Sequence, residues 1–278
     1  MTSTAGAPAA VRTGWYLYGI VPADAAPDLP AGVSVDPAHD VVLLAEGRLA
    51  GLASRVSLEE FDEATLTERL GDAVWLEQKI RAHEQVLEQV LAGASVIPCR
   101  FCTVYRSEDE LRRFLAERRE QLAEALGRLH GLVELGLKAF IDREDFAAGR
   151  ARQNEAIREL DEKLAGAEGG RAYLERRRLE QLVAAELDRF RAEFGQKVHA
   201  ELLSAAEDGV ALPLQRPEVS GRDEEMLFNA AYLVPGDRVR FEQALTQLAH
   251  EHRDAGVDFE LTGPWPPYNF VPRELGQA

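Results

Sequence analysis

Two cysteines in a C-x-x-C arrangement, Cys99-Arg100-Phe101-Cys102, and an upstream His83-Glu84 pair are the side chains whose types and spacing could do chemistry. C-x-x-C serves both zinc sites and thiol redox centres. A structural zinc takes four ligands, yet the chain has no second cysteine pair and the nearest histidine, His83, stands alone. A redox pair keeps its first thiol near a helix N-terminus, whereas these cysteines fall in a predicted strand, where positions i and i+3 face opposite ways. They read as two ordinary, mostly buried thiols, since free cysteine behaves as a small hydrophobe. His83 lies on the apolar stripe of a predicted helix and reads as a packed, hydrogen-bonded histidine. A general base there would need a nucleophile or second acid beside it, and the sequence supplies neither. His39, His130, His199, His250 and His252 are scattered, and the i, i+2 spacing of the last two does not converge on one ion in a helix. No G-x-x-x-x-G-K-[ST], G-x-G-x-x-G or G-x-S-x-G occurs. No residue is therefore assigned a catalytic, cofactor-binding or metal role, and the chain is read as no enzyme. Arg176-Arg177-Arg178, beside Glu175 and Glu180, reads as a solvated helix face with i, i+3 and i, i+4 pairing, a docking surface being the alternative.

The elements that position these residues follow from periodicity. WYLYGIV at 15–21 is an aromatic and β-branched run closed by Pro22, hence a strand. A loop through Pro22, Pro27, Pro30 and Pro37 follows, then apolar runs at 41–45 and 49–56 joined by Glu46-Gly47-Arg48, the composition of a tight hairpin. From Asp72, the positions Leu76, Ile80, His83, Leu87 and Val90 form one helical face that stops at Gly93. Residues 95–105 read as a strand. Ser107 with Glu110 resembles a capping box opening a helix that carries Leu111, Phe114, Leu115, Leu122, Leu126 and Leu129 inward and ends at Gly131.

Beyond Gly131, Val133, Leu135, Leu137, Ala139 and Ile141 alternate as in a half-buried strand. A charged helical insertion at about 144–166 leads through Gly169-Gly170 to a long helix striped by Leu179, Val183, Leu187, Phe190, Phe194, Val198 and Leu202. Strands over 210–214 and 226–234, a helix carrying Phe241, Leu245 and Leu248, and a last strand with Val257, Phe259 and Leu261 complete a β-α-β-β-α-β order, the pattern of a ferredoxin-like domain. The expected fold class is α+β. It divides into a tail over residues 1–13, an N-terminal mixed α+β domain over 14–130, a ferredoxin-like domain with long helices over 131–262 and a Pro/aromatic arm over 263–278.

That arm, GPWPPYNFV at 263–271, is the most unusual segment. Its prolines fix φ and remove donors, so it is expected outside the sheet as extended, polyproline-like chain. Trp265, Tyr268 and Phe270 would clamp the two domains together or anchor a partner.

Composition sets the outer bounds. Across 278 residues, 46% are hydrophobic and 29% charged, proportions of a chain that folds. The formal charge of -16, from 48 acidic against 32 basic residues, repels phosphate backbones and anionic head groups, so nucleic acid and membrane are not expected partners. The absence of a long apolar span or signal-like N-terminus, and only two cysteines, point to a cytoplasmic address.

Three segments together resemble the GvpF/GvpL family of gas vesicle proteins. They are YLYGIV at 16–21, with Tyr18 and Gly19; VIPCRFCTVY at 96–105, with Pro98, Arg100, Phe101 and Thr103; and the block Gly263, Pro264, Trp265, Pro266, Pro267 and Tyr268. The His83-Glu84 helix also fits. One departure is Cys102, where family members commonly carry glycine in L-P-x-R-F-G-T. The resemblance implies an accessory or minor structural protein needed for gas vesicle assembly, without cofactor, cytoplasmic or vesicle-bound, in contact with the shell protein GvpA or other accessory proteins, and these motif residues are its structural or partner-binding candidates. It also implies two domains, the second a ferredoxin-like variant. The rival from another class is a small-molecule-binding regulatory protein, an analogy from fold alone.

Overall fold

β-branched and aromatic runs become strands wherever two faces can be buried, and both halves of the chain build one sheet each. The computed structural model describes residues 12–25, 27, 29, 31–272 and 274–276, so Pro30 and positions 1–11 of the expected tail lie outside the described residues. Two compact units result, Met1–Leu132 with Pro266–Ala278, and Val133–Trp265.

In the first unit, β1 (Thr13–Pro22) runs down the middle of the sheet, and β2 (Val41–Glu46) with β3 (Leu49–Ser57) forms the hairpin beside it. Gly47 turns that hairpin at φ 64, the left-handed backbone that two-residue connections demand. Helices α1 (Glu63–Arg69) and α2 (Ala73–Leu91) follow, each capped by the aspartate before it, Asp62 or Asp72. Short strands β4 (Ile97–Pro98) and β5 (Val104–Tyr105) both pair with β1, and α3 (Glu108–Glu117) and α4 (Arg119–Arg128) close the unit. Val86, Leu87 and Val90 of α2 pack with Tyr16, Tyr18, Leu52 and Val56 of the sheet. Across β1, Leu17 and the space left by Gly51 receive Leu111 and Leu115 of α3.

Several expectations change here. Residues 95–105 are not one strand but β4 and β5 separated by a turn, in which Thr103 N–H donates to Arg100 C=O and Cys102 takes φ 65. The helix expected across 108–129 breaks at Arg118, whose φ of -106 and ψ of 13 leave the helical region. The capping box is half formed. Ser107 Oγ accepts from Glu110 N–H, but the Glu110 carboxylate accepts from Arg106 N–H. Ile80 is exposed, and the inner face of α2 is built on Trp75, His83, Val86, Leu87 and Val90.

The second unit contains β6 (Leu132–Ile141), α5 (Arg143–Gln153), α6 (Glu155–Ala165), α7 (Gly169–Leu203), β7 (Asp208–Ala211), α8 (Pro217–Ser220), β8 (Glu225–Pro235), α9 (Val239–His252) and β9 (Val257–Trp265). The sheet order is β7-β8-β6-β9. Leu187, Phe194, Val198 and Leu202 of α7, with Phe241 and Leu248 of α9, pack on alternate residues of β6 and β8. The charged insertion is two helices, because Asn154 leaves α-geometry and caps α6 through its side chain. Strand β7 ends at Ala211, leaving Leu214 exposed on the loop rather than in a strand. The arm also departs from expectation. Gly263, Pro264 and Trp265 continue β9, with Trp265 opposite Glu134 across a register shift, and Tyr268–Phe270 is a 3-10 turn, not polyproline.

Candidate functional site

Three of the sequence segments singled out above and the His83-Glu84 helix meet in one buried cluster of the first unit. Strand β1 supplies Tyr16 and Tyr18; Tyr18 stands at the bulge between Leu17 and Gly19 without a register partner on β3, and the two rings lie on the same side, 4.8 Å apart. Facing them, α2 presents His83, only 1% exposed. Tyr18 stacks on the imidazole at 5.6 Å, while Tyr16 at 5.7 Å and Phe101 at 6.1 Å meet it edge-on.

Hydrogen bonds order the cluster in one direction. Tyr268 Oη gives its one hydrogen to Glu84 Oε1 and so accepts from His83 Nε2, which leaves Nδ1 to accept from Tyr16 Oη, 2.9 Å away, while Tyr16 Oη accepts from Cys102 N–H at 3.0 Å. The imidazole then carries its proton on Nε2, which donates to Tyr268 Oη at 3.0 Å, and Tyr268 donates to Glu84 Oε1 at 3.0 Å. Burial pushes the His83 pKa down to about 4, against the opposing pull of a hydrogen bond to the Cys99 backbone. Burial raises Glu84 also, offset by the Tyr268 hydroxyl and reinforced by Glu88. Tyr16 is held well above its ordinary value by burial. Tyr18 Oη bonds Ser54 Oγ and accepts from Val35 N–H, both at 2.9 Å. At the border, Glu60 accepts from Trp75 Nε1 at 2.8 Å and pairs with Lys79 at 2.9 Å, and Lys79 lies over the Phe61 and Trp75 rings.

Chemically, this arrangement holds a neutral imidazole whose two nitrogens are both bonded to the protein. His83 is a packed, hydrogen-bonded histidine, as its helical stripe predicts, but its neighbours are aromatic rather than aliphatic. Cys99 is buried and its thiol raised by burial; the Cys102 thiol is pushed up to about 12 by burial, with Lys79 pulling the other way. Neither supplies a thiolate at neutral pH. Among the described residues, no group of three or more His, Cys, Asp or Glu could hold a metal ion. Nor is any described helix long and apolar enough to cross a membrane.

The other motif residues serve the cluster in different ways. Gly19 lets β1 approach its neighbours, since a Cβ there would lie 2.8 Å from Val96 Cγ2 and 2.9 Å from Ile97 O. Pro98 and Thr103 are buried, Phe101 is half-buried and Arg100 is exposed. Arg100 N–H donates to Gly276 C=O at 3.0 Å and Arg118 donates to Glu274 C=O, so the closing residues are fastened to the first unit at three points, Tyr268 included. Pro266 and Pro267 are buried, while Gly263, Pro264, Trp265 and Tyr268 are exposed. Trp265 Nε1 donates to Thr262 Oγ1 at 3.1 Å within the second unit. Sequence reasoning did not single out Tyr16, Ser54, Lys79 or Glu60. The available signal was two tyrosines on one side of an otherwise apolar strand, whose buried hydroxyls must find partners.

The family model for gas vesicle synthesis protein GvpL/GvpF matches residues 14–272. Gas vesicle protein L of Streptomyces sp. (strain CB03234) is 35% identical over 261 residues, covering 92% of this chain and 92% of that protein. Gas vesicle protein F of the same strain is 30% identical over 259 residues, covering 92% and 98%. The crystal structure of gas vesicle protein GvpF from Anabaena sp. PCC7120 superposes with a TM-score of 0.62 over 93% of this chain and 95% of that one. At 22% identity, this last likeness is one of fold.

Proposed function

The chain belongs to the GvpL/GvpF family of gas vesicle proteins, so its work is tied to gas vesicle assembly, and we propose that it is a non-enzymatic accessory protein or minor vesicle constituent that binds the shell protein GvpA or other accessory proteins. The observation that carries this reading is the closed hydrogen-bond chain through His83. Both ring nitrogens are spent on tyrosine hydroxyls, one of them on a closing residue, and burial keeps the nearby Cys99 and Cys102 thiols protonated. In this reading the buried motif residues Tyr18, Gly19, Pro98, Thr103, Pro266 and Pro267 shape the scaffold, and exposed Arg100, Pro264, Trp265 and Tyr268 are the docking candidates. The sheet order β7-β8-β6-β9, with α7 and α9 as crossovers, supports a ferredoxin-like variant for the second unit. A net charge of -16 keeps such a carrier dispersed while it captures an apolar partner on a limited patch, in the cytoplasm or at the vesicle. Pull-down of the full chain with GvpA and with the other accessory proteins tests the proposal, and retention of at least one is expected. No retention, together with normal vesicles in a deletion strain, would sink it.

A further inference from the structure

Two surface patches of opposite sign, one in each unit, carry exposed apolar side chains. At the α1–α2 corner, Leu70 is 50% and Val74 66% exposed, among the exposed carboxylates of Glu68, Asp72 and Glu77. The corner is fixed: Gly71 N–H donates to Glu68 C=O at 3.1 Å and Asp72 N–H to Arg69 C=O at 2.9 Å. Glu77 and Arg81 neutralise each other at 2.8 Å, so the acidic excess of the corner rests on Glu68 and Asp72, with Arg69 as a counter-charge.

The first turns of α7 are the complement. Tyr173 is 62% and Leu174 58% exposed, between Arg171 and the run Arg176-Arg177-Arg178. Arg178 pairs with Glu175 at 3.5 Å and Arg177 reaches the Tyr173 hydroxyl at 3.4 Å. Arg171 and Arg176 bond no carboxylate among the described residues. Exposed tyrosine and arginine around an apolar centre is the composition of an interface anchor, and opposite charge across a contact sets its register and encounter rate.

We propose that these patches are the two halves of one interface, in which the α1–α2 corner of one copy docks on the first turns of α7 of a second copy. The basic patch calls for an occupant that is both acidic and apolar, and the corner has that composition. Nucleic acid or anionic lipid would instead meet the field of a chain at -16. Each copy carries both halves, so the contact is heterologous, head to tail. Its few anchoring side chains make it a weak interface whose occupancy depends on concentration and salt.

Sedimentation of the full chain from about 5 to about 300 µM, at roughly 50 and roughly 500 mM salt, reads it out. The mass is expected to rise above 30.7 kDa with concentration and to fall back in high salt. Arg176→Glu with Arg177→Glu, or separately Glu68→Arg with Glu77→Arg, is expected to weaken association at least about tenfold, with circular dichroism confirming folded chains. Mixing the two reversed proteins is expected to restore it. A mass of 30.7 kDa at every concentration, reversed chains that associate like the parent, or a mixture that stays monomeric would each overturn the proposal.

Discussion

The two units solve the problem of a core differently. In the second, Leu187, Phe194, Val198 and Leu202 of α7 meet Leu135, Leu137, Phe228 and Val234 of the sheet, and polar side chains bond as isolated pairs, as where half-buried His199 Nδ1 bonds Oη of the buried Tyr232 at 2.9 Å. In the first, a histidine, three tyrosine hydroxyls and a serine lie inside the core or at its rim, bonded as a Tyr16–His83–Tyr268 run and a separate Tyr18–Ser54 pair. Apolar packing tolerates rearrangement among side chains of similar volume, whereas a buried polar chain admits one arrangement and penalises a missing member heavily. The lesson is that the first unit uses polar groups to specify which distant segments meet, including residues 266–276, which return to it after β9.

Deleting a member of each histidine–tyrosine pair probes this contrast most strongly. His83→Ala leaves a cavity and removes the partner of both Tyr16 and Tyr268, so a loss of about 3–5 kcal/mol is expected in urea unfolding. His199→Ala, at a half-buried border, is expected to cost about 1 kcal/mol. Equal losses would erase the distinction. Gly19→Ala places a methyl against the Ile97 carbonyl and Val96, and about 2–3 kcal/mol should be lost, since the sheet neighbours cannot both retreat.

The closing segment gives smaller effects. Tyr268→Phe cuts the link between His83 and Glu84 and is expected to cost about 1–2 kcal/mol by the same assay, with faster proteolysis after residue 266. Trp265→Ala, at a side chain 39% exposed, is expected to cost about 1 kcal/mol rather than the 2–4 of a fully buried clamp. The smallest change has the opposite sign. Cys102 sits at φ 65, where a Cβ costs about 1–2 kcal/mol, and glycine gives back about 0.4–1 kcal/mol through unfolded-chain entropy. Cys102→Gly should therefore stabilise by about 0.5–1 kcal/mol, seen as a raised urea midpoint.

Legibility followed the range of the interaction that decides each feature. Strands β1, β2, β3, β6, β8 and β9 and helices α2, α7 and α9 were readable because local alternation or a 3.6-residue stripe specifies them. The break at Arg118 was not, because neither glycine nor proline marks it and Leu111 through Leu129 keep one continuous stripe. The turn at Cys102 was hidden for a similar reason. A positive φ is announced by glycine, and here a cysteine occupies the position, so the one signal was the glycine that the resembled family carries there. His83 could be read as packed from its place in the helix, but its partners lie 67 and 185 residues away, beyond any periodicity. Pro264 misled, since a proline at the end of an edge strand is compatible with pairing.

His83 is a neutral structural member whose two ring nitrogens are both bonded. With a folded pKa of about 4 against 6.5 when exposed, the unfolded chain binds the extra proton between those values. The His83 contribution is then complete above about pH 6.5 and is lost as pH falls toward 4, by an amount on the order of 3 kcal/mol. Nitrogen-detected NMR of the imidazole across pH 4–8 tests it most directly. The predicted spectrum shows a bare Nδ1 and a protonated Nε2 that persist unchanged to below pH 5. Titration near pH 6.5, or a proton on Nδ1, would contradict the account.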